Sequence, residues 1–313
     1  MIWIWSLLGC VAALLFIYIG VFSLIFVRGR EQDLVGKDFP KGSTWAKFKE
    51  EICFGAAWVE QNTFEPITIT SRDGVRLYGR LFPAESRKII VLFHGYRSAA
   101  NRDFSCALEY YHKQGFQILL VDQRAHGKSG GRLITFGMKE RYDCKAWLDY
   151  LNNRFGGNCA LYLSGISMGS ATVLMALGLE LPPTLCGVIA DCGFTSPADI
   201  ISAVGKKSHI PPVLFLHPVN LLCRLFGHFS IYGASTVSAL RENTVPVLFI
   251  HGTEDRLVPS AMSETNFAAC KGPKKLVLVE KADHGLSFLV DRETVEKAVT
   301  AFLADPAAAC KQK

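Results

Sequence analysis

Charge is scarce in this chain. One residue in five is Asp, Glu, Lys or Arg, and the net formal charge over 313 residues is +6. No Lys/Arg run and no basic stripe interleaved with aromatics occurs, which argues against a nucleic-acid surface. Cysteine is thin as well: ten in the whole chain are too few for a disulfide scaffold. There is no H-E-x-x-H, no C-x-x-C and no cluster of carboxylates, so no metal or organic cofactor is expected. The 27 glycines keep no three-residue period, which excludes a collagen-like chain, and there is no internal repeat or low-complexity tract. What is plentiful is apolar content. At 50% it is too high for a disordered chain, and α/β folds often wrap about 200–300 residues around one core.

Charge is missing most completely at the start. From Ile2 to Val27 there are 26 residues without one charged side chain. A helix of that length, at about 1.5 Å per residue, crosses a hydrocarbon core of about 30 Å. Trp3 and Trp5 stand at one end, where indoles favour the interface, with Arg28 and Arg30 at the other. A cleaved signal peptide would show a basic leader, a shorter apolar run and a small-x-small cleavage site. This chain opens Met-Ile-Trp-Ile-Trp and continues Val27-Arg28-Gly29-Arg30-Glu31. Residues 1–28 therefore read as an uncleaved anchor that meets the membrane through residues 2–27. Arg28, Arg30, Lys37, Lys41, Lys47 and Lys49 all follow it, and the positive-inside rule then places the remainder in the cytoplasm. Thiols such as Cys106, Cys144, Cys192 and Cys270 are compatible with a reducing compartment.

Residues 29–63 read as a linker and an amphipathic helix, with Trp45, Phe48, Ile52 and Val59 at helical spacing. Packing on the following domain is the simpler expectation for that helix, and lying on a bilayer surface the sharper one. A single domain is expected over 64–305. It opens with alternation across 64–82 around the turn Ser71-Arg72-Asp73-Gly74. Short apolar runs then recur at 88–93, 117–122, 159–164, 186–191, 245–250 and 275–280. Helical patterns lie near 102–114, 139–155, 168–180, 260–270 and 292–304. Strands that alternate with helices predict a mostly parallel sheet covered on both faces, entered through an antiparallel hairpin. Chemistry in such sheets sits beyond the C-terminal strand ends. Residues 194–238 are longer than a βα connection needs and carry Pro211-Pro212 before a strongly apolar stretch, so a cap over the site is expected there.

The chemical signal is Gly165-Ile166-Ser167-Met168-Gly169, directly after one strand and before one helix. The glycines suit a tight, strained turn that presents a serine hydroxyl at the strand end. A serine hydroxyl is a weak nucleophile until a base takes its proton and an acid orients that base. The expected order is Ser, acid, His. The run 245–250 leads into His251-Gly252-Thr253-Glu254-Asp255, and 275–280 into Lys281-Ala282-Asp283-His284-Gly285. The intervals of 88 and 29 residues leave room for a cap, then for a helix and a strand. Asp255 is the expected acid and His284 the base. Glu254, Asp283 and Asp191 are the rival acids, of which Asp191 is the more serious because it ends a strand on the same edge. The two backbone donors for an oxyanion are expected from Met168 and from the loop His94-Gly95-Tyr96, at Tyr96. His94, His126 and His251 read as loop anchors, and Cys192 as a packed thiol. Gly127-Lys128-Ser129 imitates a phosphate loop but has Asp122 where the first glycine belongs.

These motifs together resemble the α/β-hydrolase superfamily. Within it the chain is similar to membrane-anchored serine hydrolases related to serine aminopeptidases and monoacylglycerol lipases. The resemblance rests on H-G-Y at 94–96, D-Q-R-A-H-G-K-S-G-G at 122–131, G-I-S-M-G at 165–169, H-G-T-E-D-R-L-V-P at 251–259 and D-H-G at 283–285. It spans roughly residues 60–305 and implies the same roles for Tyr96, Ser167, Met168, Asp255 and His284. Ala125 stands where such relatives usually carry Gly.

The expected activity is hydrolysis of a carboxylic ester through an acyl-enzyme, with a small-molecule or lipid ester as the substrate class. A serine peptidase of the aminopeptidase or prolyl oligopeptidase kind would use the same triad. Residues 200–230 hold no acidic side chain to receive a free amine, whereas Lys206, Lys207 and Arg224 are basic. The reading from a different class is a catalytically silent, membrane-tethered binding protein.

Overall fold

Runs such as Ile118-Leu119-Leu120-Val121 are apolar on both faces, and a strand of that kind is stable only where both faces of its sheet are covered. In the computed structural model, which describes residues 2–29 and 44–310, eight strands form one sheet of that kind. They are β1 (Glu65–Thr70), β2 (Arg76–Phe82), β3 (Lys88–Phe93), β4 (Gln117–Asp122), β5 (Ala160–Ile166), β6 (Leu185–Asp191), β7 (Val247–Gly252) and β8 (Lys274–Val279). Their order across the sheet is β1-β2-β4-β3-β5-β6-β7-β8. β1 and β2 form the entering hairpin, β2 pairs antiparallel with β4, and all remaining pairs are parallel. The mostly parallel α/β architecture expected from the sequence is the one observed.

The helices that matter here are α1 (Ile2–Phe26), α2 (Lys49–Gln61), α3 (Ser105–Lys113), α4 (Glu140–Arg154), α5 (Met168–Ala176), α6 (Pro197–Lys207), α7 (Pro212–Gly227), α8 (Ser260–Ala269) and α9 (Arg292–Ala304). One core, with Leu108, Ile118, Leu248 and Phe302, lies between the sheet and α3 and α9. Another, with Leu119, Trp147, Leu163 and Phe249, lies on the opposite face beneath α4 and α5. α2 buries Ile52, Gly55, Ala56 and Val59. A Cβ on Gly55 would collide with the Ser105 carbonyl at the start of α3, so α2 lies hard against the domain. Of the expected linker, residues 30–43, with Arg30, Lys37 and Lys41, lie outside the described residues.

A third core joins the cap to α1. Phe22 and Phe26 are buried in it with Phe136, Phe215, Val219, Leu222 and Phe229. Phe26 stacks on Phe22 at 5.3 Å and meets Phe136 and Phe229 edge-on. Beyond α1 the chain runs antiparallel to the 132–134 segment: Ile134 N donates to Phe26 O at 2.7 Å and Arg28 N to Arg132 O at 2.8 Å. The Arg28 guanidinium donates to the carbonyls of Gly127 and Ser129. From Tyr18 to Phe26 the apolar helix is thus part of the domain, while residues 3–17 stand exposed.

Candidate active site

β5 ends at Ile166 and α5 begins at Met168, so Ser167 alone turns the chain. Its φ is +56°, a backbone state that a side chain adopts only under constraint from its surroundings. The flanking glycines make the turn sterically feasible. A Cβ on Gly169 would collide with the carbonyls of Phe93 and His94, and one on Gly165 with the Gly169 carbonyl. Ser167 N donates to Asp191 O at 2.9 Å, which ties the elbow to β6.

Ser167 Oγ lies 2.9 Å from His284 Nε2, and His284 Nδ1 lies 2.7 Å from Asp255 Oδ2. The three residues named from the sequence are therefore in one hydrogen-bonded line. Asp255 Oδ1 accepts from the N–H groups of Leu257 and Val258, both at 2.8 Å. Its Oδ2 has a second neighbour, His251 Nε2 at 3.2 Å. Burial alone would raise the Asp255 carboxyl, but the bonds from His251 and His284 hold it well below the usual carboxylate range.

The rival acids have other partners. Asp283 Oδ1 accepts from His284 N and Arg256 N, and its Oδ2 from the Arg256 side chain and Thr44 Oγ1. Those bonds outweigh burial and hold its pKa down to about 2, so it staples the loop. Glu254 is exposed. Asp191 accepts from Ser287 Oγ at 3.2 Å, and burial pushes its pKa up to about 6, with His251 and His284 opposing the rise.

The loop after β3 lies against Ser167: a Cβ on Gly95 would sit 3.5 Å from Ser167 Cβ. Gly95 N donates to Asp103 Oδ2 at 2.7 Å. His94 Nε2 accepts from Gln123 N, and His126 Nε2 accepts from Arg97 N. Burial lowers His94 to about 4 and His126 to about 3. Both are therefore neutral near pH 7 and able to accept, as loop anchors must. Met168 carries the first N–H of α5, a position with no intrahelical partner. The Tyr96 ring stacks on Phe136 at 5.0 Å. Its hydroxyl donates to Ile25 O at 2.8 Å, and the Arg97 guanidinium donates to Leu24 O and Val27 O. The exposed end carbonyls of α1 are thus capped by residues of the loop that faces Ser167, a link that strand-end motifs do not reveal.

The 122–131 motif is a structural knot. Arg124 pairs with Asp143 at 2.6 Å and Asp73 at 2.9 Å, and Ser129 Oγ donates to Asp122 O. Ala125 in it has φ +59°, which explains why glycine suits that place. Cys192 is buried beside Asp191, and burial raises its thiol well above the ordinary value. Cys192, Asp255 and His284 offer ligand atoms within 4.8 Å of one another. A metal there would have to deprotonate that thiol and break the Asp255–His284 bond.

A family model described as serine aminopeptidase, S33, matches residues 84–216, and one described as TAP-like protein matches 231–311. An uncharacterized protein of Mycobacterium tuberculosis is 30% identical over 247 residues, covering 77% of this chain and 79% of that one. The uncharacterized protein YqkD of Bacillus subtilis is 26% identical over 291 residues, covering 90% of this chain and 91% of its own. Among solved structures, the Pyrococcus furiosus esterase Pf2001 superposes with a TM-score of 0.61 at 26% identity. It covers 78% of this chain and 93% of its own. Sheet order, elbow and relatives together define a hydrolase fold with activity of the serine-hydrolase type. The chain belongs to the α/β-hydrolase superfamily.

Proposed function

We propose that the chain is a membrane-tethered serine hydrolase that cleaves a carboxylic ester, with lipid or other acyl esters as its substrate class. The observation that carries this reading is the line Ser167 Oγ–His284–Asp255, at 2.9 and 2.7 Å, on a strained elbow at the strand ends. In the proposed reaction His284 Nε2 takes the Ser167 proton as Oγ bonds to the ester carbonyl carbon. The tetrahedral oxyanion is held by the N–H groups of Met168 and Tyr96, and Asp255 stabilises the imidazolium. Collapse breaks the C–O bond, and His284 gives its proton to the leaving alcohol. A water deprotonated by His284 then attacks the acyl-enzyme and releases acid and free Ser167.

An apolar acyl group is favoured by the apolar side chains packed on one side of the elbow. Met168, Phe136, Phe194, Phe215 and Val219 belong to one cluster with the end of α1. Residues 64–305, with the cap at about 194–238, are read as the catalytic domain and residues 2–27 as its membrane contact. In α1, Trp3–Phe26 is apolar and long enough to cross a bilayer. The cationic residues Lys47 and Lys49, with the ones before them, favour a cytoplasmic catalytic domain. The serine aminopeptidase description of the matching family model supports a second reading, cleavage of a peptide. The absence of acidic side chains at 200–230 counts against it, since a free substrate amine would find no carboxylate there.

The test is fluorophosphonate labelling of the detergent-solubilised full chain beside Ser167→Ala, followed by p-nitrophenyl esters of increasing acyl length. The expected result is labelling of the wild type alone, hydrolysis lower by about 10⁴–10⁶ in the variant, and rates that rise with acyl length. A profile that falls beyond the shortest esters would overturn the lipid assignment. Preferential cleavage of aminoacyl anilides would favour the peptidase. No labelling of folded wild type would favour a catalytically silent binding protein.

A further inference from the structure

We propose that the outward face of cap helix α7 is a bilayer-docking surface, seated in the same leaflet that α1 crosses. The proposal rests on the membrane reading of α1 above.

A membrane-crossing α1 has no length to spare before it meets the cap. Crossing about 30 Å of hydrocarbon takes about 20 helical residues. Counted from Trp3, that stretch runs to Phe22. Yet Phe22 is already buried in the cap core, and Tyr18, Val21 and Ile25 pack against it. Phe22 lies 6.2 Å from Phe226, and the Tyr18 hydroxyl donates to Leu214 O at 2.9 Å. Both partners belong to α7. No spacer separates the lipid boundary from the cap, so a bilayer that holds α1 must reach α7.

The outward face of α7 is apolar. Val213, Leu214, Leu221, Leu225 and Phe226 are between 56 and 71% exposed. Leu214, Leu221 and Leu225 follow one stripe at i, i+7 and i+11. Ile210 and Val204 extend the patch along the approach to α7. Outside α1 and the cap, the exposed large apolar side chains among the described residues are single and scattered, such as Phe54, Leu257 and Leu278. A contiguous apolar patch marks an interaction surface, whereas scattered ones do not.

The charge around that face is of one sign. Lys206, Lys207 and Arg224 are exposed around the patch, and no Asp or Glu lies between 200 and 230. A basic rim about an apolar stripe complements anionic headgroups above acyl chains. The patch is also continuous with the bare surface of α1, which favours lipid over a second copy of the chain.

The experiment reconstitutes the full chain into vesicles of phosphatidylcholine and phosphatidylglycerol that contain a phosphatidylcholine with a diazirine in its acyl chain. After irradiation, lipid adducts are mapped by mass spectrometry. Adducts are expected on α1 and on α7. In a Leu221→Asp, Leu225→Asp variant, adducts on α7 should fall about tenfold or more while those on α1 persist. Both positions are exposed, and circular dichroism checks that the variant folds. Adducts on α1 alone, adducts on α7 that ignore the two aspartates, or α7-to-α7 protein cross-links in place of lipid adducts would each overturn the proposal. A chain with no adducts on α1 either would overturn the membrane reading itself, a different pattern. The readout needs no turnover, so the outcome for the substrate class stays separate.

Discussion

At the residue scale, His251 is the side chain that the motif reading undervalues. Seen as the end of a strand it is a loop anchor, and it does bond Ser263 Oγ at 2.6 Å and Val258 O at 2.9 Å. Val258 O can only accept, so Nε2 carries the proton, and the same nitrogen lies 3.2 Å from Asp255 Oδ2. His251 is thus a positioning residue for the proposed acid. A charge-assisted hydrogen bond of this kind is worth about 1.5–3 kcal/mol, so His251→Phe is expected to lower kcat about 10–100-fold. Asp255 would then lose a donor and its pKa would rise. The acid limb of the pH profile of kcat/KM should move to higher pH. His251→Gln, whose amide can reach the Nε2 position, should restore part of the rate. A variant with an unmoved acid limb would leave His251 as a loop anchor only. Ser167, Asp255 and His284 were legible because each follows its own strand in an order that the fold dictates. The touch between His251 and Asp255 was not, because it depends on how the loop after β7 folds back on itself.

At the element scale, the expected strands at 88–93 and 117–122 coincide with β3 and β4, and the other parallel strands lie within two residues of their expected bounds. Uninterrupted apolar runs flanked by turn residues leave little freedom for such segments. The helix α1 was legible as a helix for the same reason, but not as a domain element. Uniform hydrophobicity has no periodicity, so nothing in 2–27 distinguishes residues that meet lipid from those that meet protein. Only packing separates Phe22 and Phe26 from Leu14 and Phe16. Phe26→Ala should accordingly destabilise the folded domain by about 3–5 kcal/mol, a loss unexpected of a simple tether. Thermal unfolding of the detergent-solubilised full chain measures it. A loss under about 1 kcal/mol would mean that α1 and the domain are energetically independent.

At the scale of the whole molecule, stability carries a pH signature from buried carboxyls. Burial raises Asp191 to about 6, and it raises Asp143 to about 6 against the pull of Arg124. A carboxyl whose folded pKa lies above its unfolded value binds its proton more tightly in the native state. Its contribution is therefore present below pH 4 and is lost as pH rises through 4 to 6. Asp191→Asn should remove that penalty. The expected gain is up to about 2–3 kcal/mol above pH 6, fading to nothing below pH 4, in thermal unfolding followed across that range. A gain of equal size at acid and neutral pH would point to packing rather than to charge.

By itself, the sequence determined which segments are strands, where the elbow at Ser167 turns, and that one helix is apolar enough to cross a bilayer. Those are local matters, settled by side-chain periodicity, by the room that Gly165 and Gly169 leave around Ser167, and by run length. Tertiary structure alone decided that the end of α1 enters the cap core, and that Tyr96 and Arg97 cap its last carbonyls. It alone decided that Asp255 gathers two histidines and that α7 turns an apolar stripe outward beside α1. Each of these depends on surfaces that meet across long stretches of chain, where the identity of a residue says what it can bond but not what it will face.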